Sequence, residues 1–327
     1  MKERPVLGIV VPCYNEEAVL GETIAQLDAV LSALIAEELI SGRSFMLFVD
    51  DGSKDRTWEL IAEHRAFHPH VAGLKLAGNV GHQSALLAGL MEARVLADCV
   101  ISIDADLQDD VRVIRDFVLK YIEGFEIVYG VRRSRDTDTW FKRTTALGFY
   151  RFMDRMGVKV VNNHADYRLM SRRALDELER FKEVNLFLRG LVPMIGFRST
   201  SVYYDRLERF AGESKYPLRR MIAFALEGIT SLSIRPIRLV TAAGFIMFGV
   251  SLLAALYAII AKLTGEAVSG WTSLIVSIWF IGGVQLVSLG LIGEYVGKIY
   301  REVKRRPLYT VETELLPESL QHSRVAP

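Results

Sequence analysis

Three short acidic runs hold the residues of this chain best suited to chemistry: Val11-Pro-Cys-Tyr-Asn-Glu16, Phe48-Val-Asp-Asp-Gly-Ser53 and Ile103-Asp-Ala-Asp-Leu-Gln108. Each closes a β-branched or aromatic stretch, where a parallel strand ends and a ligand crevice opens in an α/β sheet. Asp104 and Asp106 are two apart, so an extended backbone projects both carboxylates to one side. A hard divalent cation such as Mg²⁺ or Mn²⁺ takes such oxygens and completes its shell with water and substrate phosphates. Asp50 and Asp51 are adjacent and repel each other unless a cation or hydrogen-bond donors relieve them. A base and a ribose supply suitable N–H and O–H donors; a helix-capping pair in a loop is the plainer alternative. Tyr14 offers a stacking face to a base, and Glu16 accepts hydrogen bonds from base or ribose. The turn at residues 79–83 contains a glycine and precedes a helix, which suits close approach of a phosphate or sugar.

Strands alternating with helices would bring these runs together. Apolar runs predict strands at 7–11, 45–49, 71–76, 99–103 and 127–129, and helical patterns fill 18–39, 57–64, 82–97 and 111–123. That alternation predicts a parallel, doubly wound α/β sheet. Asp55 and the pair Asp109-Asp110 precede two of the helices as starting signals. A basic, polar stretch at 132–149 reads as a loop leading into a helix. A second α/β stretch follows, with Asp166-Tyr-Arg-Leu-Met170 as a strand, 171–181 as a helix and 199–205 as a further strand.

Forty basic against thirty-nine acidic residues leave a formal net charge of +1, so no overall field draws nucleic acid, and none is expected as a partner. Cys13 and Cys99 form no disulfide framework or zinc spacing and read as small buried residues. His64, His68 and His70, near Pro69, lack a carboxylate or cysteine to complete a metal set and read as solvated. The first residues lack the charged-then-apolar layout of a cleaved signal, which predicts a cytoplasmic catalytic part.

Residues 237–261 and 271–292 are each long and apolar enough to cross a bilayer, which takes about 20 residues. Arg235 and Arg238 precede the first span; Lys298, Arg301, Lys304, Arg305 and Arg306 follow the second; only Lys262 and Glu266 lie between. The positive-inside rule then predicts a re-entering two-helix anchor in the cytoplasmic (inner) membrane, with both termini cytoplasmic. Residues 219–231 alternate cationic and apolar at helical spacing, as an interfacial helix does, though a core-facing helix has the same pattern. The expected division is a catalytic domain at 1–215, a juxtamembrane amphipathic helix at 216–236, a transmembrane hairpin at 237–293, and a basic segment with a polar tail at 294–327.

The motifs Pro-X-Tyr-Asn-Glu, Asp-Asp-Gly-Ser-X-Asp, Asn-X-Gly-His-Gln and Asp-Ala-Asp-Leu-Gln-Asp, with Glu213-Ser-Lys-Tyr216 and Gly293-Glu-Tyr-Val-Gly-Lys298, resemble the polyprenyl-phosphate glycosyltransferases of glycosyltransferase family 2. Dolichol-phosphate mannosyltransferases and bactoprenol glucosyltransferases belong to that group. Asp110 departs from the pattern, which commonly has proline there; the change should affect only the start of the next helix. The resemblance implies a GT-A fold, Rossmann-like with a mostly parallel sheet, in which Asp104 and Asp106 serve Mg²⁺ or Mn²⁺, Asp106 more directly. It implies donor contacts from Pro12, Tyr14, Glu16, Asp50 or Asp51, Asp104, Ala105 and Gln108. Arg132 or Arg133, Arg143, Arg209 and Lys215 would receive the anionic acceptor and the diphosphate, although an isolated arginine is usually a solvated one. Asp166 matches the position of a catalytic carboxylate in related inverting enzymes. A lipid phosphate, with a second pKa of about 6, is already largely ionised, so Asp166 is assigned to positioning, with proton removal as the alternative.

The implied reaction is metal-dependent inverting transfer of a hexose, glucose from UDP-glucose, to undecaprenyl phosphate at the cytoplasmic membrane face. N-acetylglucosamine, galactose and mannose are alternatives, and relatives imply a homo-oligomer. A processive polysaccharide synthase fits less well, since no Gln-X-X-Arg-Trp segment follows and only two spans exist. Phe48-Val-Asp-Asp51 also resembles the acidic pocket of a phospho-receiver module, but the second Asp-X-Asp does not. A non-catalytic membrane scaffold that has kept a donor pocket is the remaining alternative.

Overall fold

The apolar runs that precede the acidic motifs are buried along their whole length, as strands covered by helices on both faces must be. The structure, a computed structural model, describes residues 4–133, 164–206, 229–231, 233–264 and 270–316. Its strands are β1 (Leu7–Cys13), β2 (Phe45–Asp50), β3 (Val71–Leu76), β4 (Cys99–Ser102), β5 (Ile127–Arg132), β6 (His164–Ser171), β7 (Ser199–Tyr204) and β8 (Val311–Leu315). They form one sheet in the order β7-β5-β6-β4-β1-β2-β3-β8.

Strands β3, β2, β1 and β4 are parallel neighbours, and β5 pairs parallel with β7. The pairings of β6 with β4 and β5, and of β8 with β3, are antiparallel, so the sheet is mixed, with four parallel pairings against three antiparallel ones among the described residues, as the mostly parallel expectation allows. The chain runs outward from β1 through β2 to β3, then returns to place β4 on the other side of β1. That reversal makes the carboxyl ends of β1 and β4 the crevice of the sheet. Antiparallel β6 lies beside β4 with Arg168 opposite Ser102, which carries Asp166 to the same end.

The helices of this unit are α1 (Leu20–Ala36), α2 (Thr57–Phe67), α3 (His82–Arg94), α4 (Ile114–Ile122), α5 (Arg172–Glu179) and α6 (Leu188–Met194). Leu20, Ile24, Leu27, Leu31 and Leu34 recur at helical spacing along α1 and are all buried, in one core with Ile9, Phe48 and Phe117. Helix α3 lies so close to the sheet that a Cβ on Gly89 would stand 2.4 Å from Val10 Cγ1. Asp110 starts a short 3₁₀ turn, Val111–Val113, by accepting a hydrogen bond from the Arg112 N–H, so its carboxylate supplies a cap at the start of the next helix. Ser171 caps α5 in the same way through the Ala174 N–H.

Two elements depart from the sequence expectations. Helix α6 was not expected, because Gly190 and Pro193 interrupt its helical pattern. Strand β8 falls in the expected juxtamembrane segment and tail, yet it extends the catalytic sheet along β3. Lys75 Nζ donates to Glu312 at 3.0 Å, the Ala77 N–H to the Thr310 carbonyl at 2.9 Å, and Arg65 Nη2 to the Leu316 carbonyl at 2.6 Å.

A second unit contains α7 (Arg235–Leu263) and α8 (Trp271–Lys304). Within them Arg235–Leu253 and Phe280–Lys304 are long and apolar enough to cross a membrane, and neither is buried. Helix α8 runs on past the expected end at residue 292, and near its end Tyr295 Oη donates to the Ser233 carbonyl at 2.6 Å. Lys298, only 6 % exposed, donates to Ser231 Oγ at 2.8 Å. Residues 134–149 of the basic stretch, 219–228 of the expected interfacial helix, Glu266, and the tail beyond residue 316 lie outside the described residues.

Candidate active site

The loops after β1 and β2 are laced together, which explains the residue types of their motifs. The Asn15 N–H donates to Ser53 Oγ at 3.0 Å, Asn15 Oδ1 accepts from the Lys54 N–H at 2.8 Å, and the Glu16 N–H donates to Thr57 Oγ1 at 2.9 Å. Asn15 sits at φ 56°, a left-handed conformation that asparagine tolerates. Gly52, at φ 67°, passes so close to the next loop that a Cβ would stand 2.7 Å from the Asn79 nitrogen, so only glycine fits.

The two adjacent aspartates have different partners. Asp51 accepts the Val80 N–H on Oδ1 at 2.7 Å and the Gly81 N–H on Oδ2 at 3.0 Å, so it binds the turn at 79–83 to β2. Asp50 accepts the Ser53 N–H on Oδ1 at 3.2 Å, while its buried Oδ2 has no hydrogen-bond partner among the described residues. Burial pushes both carboxyls up, against the hydrogen bonds they accept. Pro12, Ala105 and Gln108 are buried at the same strand ends, Glu16 is half-buried, and Tyr14 is exposed.

Asp104 and Asp106 follow β4. Asp106 Oδ1 accepts the Gln108 N–H at 3.2 Å, and Leu107 between them holds a left-handed φ of 54°. Such strain in a non-glycine residue persists only where the surroundings impose it. Burial pushes the Asp104 carboxyl up to about 6, against the pull of nearby His82. His82 Nε2 stands 3.6 Å from Asp104 Oδ1 and 3.7 Å from Asp166 Oδ2, so one imidazole lies between two carboxylates from different strands.

Asp166 is held by two arginines. Arg168 Nη2 donates to Oδ1 at 2.5 Å; Arg189, on α6, donates through Nη2 to Oδ2 at 3.0 Å and through Nε to Oδ1 at 3.3 Å. Burial alone would raise this carboxyl, but His82, Arg189 and Arg168 outweigh it and hold Asp166 well below the usual carboxylate range. Gln83 Oε1 accepts the Leu188 N–H at 2.9 Å, which fixes the backbone next to Arg189. His82 and Gln83 thus link the Asp51 turn to the Asp166 cluster.

Among the described residues no three His, Cys, Asp or Glu side chains converge on a metal position. A hard divalent ion needs fewer, because one or two carboxylates with waters and substrate phosphates suffice. Asp104 and Asp106 fit that pattern, and a cation would relieve the cost of ionising the partly buried Asp104.

At the end of β5, Arg132 donates to Asp109 Oδ1 through Nη2 at 2.9 Å, and Tyr204 Oη donates to the same oxygen at 2.6 Å. Arg133 Nη1 lies 3.6 Å from Asp205, and both side chains are exposed. Arg206 Nη2 donates to Gln108 Oε1. Arg143, Arg209 and Lys215 lie outside the described residues. The sequence reading gave Arg168 and Arg189 no role; the available signal for Arg189 was a lone cation in the apolar run 186–192. The histidines read as solvated are partnered instead: His68 Nδ1 lies 3.3 Å from Asp28 Oδ2 and His70 Nδ1 lies 2.8 Å from the Ser44 carbonyl, both half-buried. Cys13 and Cys99 are free and buried.

The model of Glycosyl transferase family 2 matches residues 8–179, which spans every acidic motif of the crevice. The chain belongs to that family. It is a glycosyltransferase with a GT-A fold, and residues 235–299 match a second model, the GtrB C-terminal hairpin, which marks this family member as membrane-associated. It is 62 % identical to a Bacillus subtilis (strain 168) protein named uncharacterized glycosyltransferase YkoT, over 98 % of this chain and 95 % of that one. It is 39 % identical to the SfII prophage-derived bactoprenol glucosyl transferase of Shigella flexneri, over 94 % and 97 % of the two chains. Among solved structures, the mannosyltransferase PcManGT of Pyrobaculum calidifontis, in complex with GDP-Man and Mn²⁺, is similar with a TM-score of 0.44 and 18 % identity over 88 % of each chain.

Proposed function

We propose that this family 2 enzyme transfers a hexose, glucose from UDP-glucose, to undecaprenyl phosphate at the cytoplasmic membrane face, with inversion at the anomeric carbon. The reading rests on the state of Asp166. A carboxylate clamped by two arginines and held well below its usual range is a poor proton acceptor, so the nucleophile it serves must arrive already ionised. A phosphomonoester oxygen meets that condition at neutral pH, since its second pKa is about 6. The bactoprenol glucosyl transferase relatives support the same acceptor.

In this reaction a phosphate oxygen of the lipid forms a bond to the sugar C1 as the bond from C1 to the diphosphate oxygen breaks, and the nucleoside diphosphate leaves with the electron pair. Asp104 and Asp106 would hold Mg²⁺ or Mn²⁺, which would supply positive charge against the departing diphosphate. Pro12, Tyr14 and Glu16 line the nucleoside, Ala105 and Gln108 the donor beside the metal, and Asp50 Oδ2, without a hydrogen-bond partner among the described residues, is the readier acceptor for a base N–H. Asp51 acts through the turn it holds. Arg132, Arg133, Arg143, Arg209 and Lys215 supply positive charge for the acceptor and diphosphate, and alignment with this charge accounts for most of the acceleration. Strand β8 follows α8 in sequence yet belongs to the sheet of β1 to β7, which supports both ends of the hairpin lying on the catalytic side. The flanking arginines and lysines support that side being the cytoplasm.

The test incubates purified protein and Mg²⁺ or Mn²⁺ with undecaprenyl phosphate and a panel of nucleotide sugars, alongside Asp106→Ala, with lipid products identified by mass spectrometry. A metal-dependent polyprenyl-phosphate glucose absent from the variant is expected. A product carrying N-acetylglucosamine, galactose or mannose corrects the sugar; no lipid product from any donor overturns the reading.

A further inference from the structure

The geometry points to Asp109 and Tyr204 as a pair of positioning residues that aim the Arg132 guanidinium at the phosphoryl oxygens of a bound substrate. The inference rests on the phosphate-transfer reading and adds to it two residues that the proposed reaction leaves without a task. Topology places them. Strand β6 is antiparallel to both β4 and β5, so β5 runs in the direction of β4, and β7 is parallel to β5. Arg132 and Tyr204, paired in register at the carboxyl ends of β5 and β7, therefore lie at the same edge of the sheet as the motif at 104–109. Gly130 leaves room for the tyrosine: a Cβ there would stand 3.1 Å from Tyr204 Cε1 and 2.8 Å from the Tyr167 carbonyl oxygen. The ring of Tyr167 meets that of Tyr204 edge-on, with centroids 5.4 Å apart.

Asp109 Oδ1 accepts from Arg132 Nη2 at 2.9 Å, from Arg132 Nε at 3.1 Å and from Tyr204 Oη at 2.6 Å. Arg132 Nε also reaches Tyr204 Oη at 3.3 Å, so the hydroxyl accepts from the cation while it donates to the carboxylate. These contacts run along one edge of the guanidinium and set its plane. Exposure then divides the three by task. The side chain of Asp109 is 1 % exposed and Tyr204 is 3 % exposed, so both are closed to substrate, whereas that of Arg132 is 28 % exposed. Asp109 also adjoins Gln108, whose N–H donates to Asp106 Oδ1 at 3.2 Å. One turn thus carries both the carboxylate that anchors Arg132 and a carboxylate assigned to the metal. The three belong electrically to the crevice as well. After burial, His82 and Asp166, Asp109 is among the charges that act on Asp104, and Arg132 acts on Arg189 alongside Asp166 and Asp104. An arginine anchored in this way keeps a set place beside the metal carboxylates, and the ordering that a long side chain otherwise undergoes on binding is already complete.

The experiment measures steady-state constants for donor and acceptor in the full-length enzyme, in Asp109→Asn, Tyr204→Phe and Arg132→Ala, and in the two double variants that add Arg132→Ala to each of the others. Thermal melts and elution volumes select the folded variants. Asp109→Asn should lower kcat/KM by roughly tenfold or more, as loss of a charge-assisted contact does, and Tyr204→Phe by about threefold. Neither substitution should lower kcat/KM further once Arg132 is alanine, because both act through that side chain. A raised acceptor KM then assigns Arg132 to the lipid phosphate, and a raised donor KM or a loss in kcat alone assigns it to the diphosphate of the nucleotide sugar. A merely structural pair would give losses that multiply with that of Arg132→Ala. That outcome overturns the inference, as does an unchanged kcat/KM in Asp109→Asn. Where Asp109→Asn misfolds, the Tyr204→Phe cycle decides by the same criterion. Wild-type enzyme that makes no lipid-linked sugar from any donor overturns the function reading instead. The cycle is then read in calorimetric titrations with UDP and Mn²⁺ and with undecaprenyl phosphate: coupling to Arg132 in either affinity supports the inference, and independence in both overturns it.

Discussion

Asp51 and Asp166 are both buried aspartates at strand ends of one sheet, and their partners set them to opposite tasks. Asp51 is held by two backbone N–H groups, which carry no net charge, so burial dominates and its carboxyl is pushed up. Asp166 is held by Arg168 and Arg189, so burial is outweighed and its carboxyl is pulled down. Neutral donors from a loop make a carboxylate into a structural tie. Charged side chains make it a permanent anion that orients cations. The lesson extends to Asp104, which has no arginine in hydrogen-bonding contact among the described residues and is pushed up to about 6, the state a cation would relieve.

The contrast breaks most severely at Asp166. Asp166→Ala leaves the buried Arg168 without its carboxylate and should cost about 3–5 kcal/mol of stability, read as the shift in denaturant midpoint. Asp166→Asn should keep the fold better and still lose transfer on the order of a hundredfold, with no acidic limb removed from the pH–rate profile. Disappearance of such a limb would return Asp166 to the role of proton acceptor. At Asp51, alanine frees the Val80 and Gly81 N–H groups; a loss of about 2 kcal/mol and a raised donor KM are expected, with acceptor KM unmoved. Gly52→Ala attacks the same turn from the backbone and should cost about 1–2 kcal/mol, visible in the melting temperature.

The smallest effect is in pH dependence, and the two carboxylates should differ in sign. Asp104 has its folded pKa above the ordinary 3.8, so without metal the fold gains from this group as pH falls from about 6 toward 4. Asp166 has its folded pKa below 3.8; its contribution is complete above that value and is lost as pH falls through the folded one. Melting curves of Asp104→Asn and Asp166→Asn against wild type across acidic pH check both signs. Parallel curves for the two variants would mean that their environments do not differ as described.

The sheet was legible in the sequence because buried strands announce themselves as apolar runs, and β1 to β4 fall within a few residues of expectation. Asp104 and Asp106 were legible for the same reason, as carboxylates closing such a run. Asp50 and Asp51 were not separable, since the N–H groups that distinguish them belong to Val80 and Gly81 in another loop. Arg189 was hidden because its meaning depends on Asp166, from a different strand, and because its helix contains Pro193. Strand β8 is five residues long, two of them glutamates, which reads as tail until β3 is known to lie beside it.

That last strand also governs when the enzyme becomes whole. Lys75 meets Glu312 across 237 residues of sequence, so the outer edge of β3 stays uncovered until the ribosome has translated both apolar helices. At synthesis rates of about 5–20 residues per second the wait is roughly 10–50 seconds, during which an open strand edge invites wrong pairing. A chain released before residue 311 would lack the edge strand of its own catalytic sheet, so the complete sheet forms only after both apolar helices have been translated.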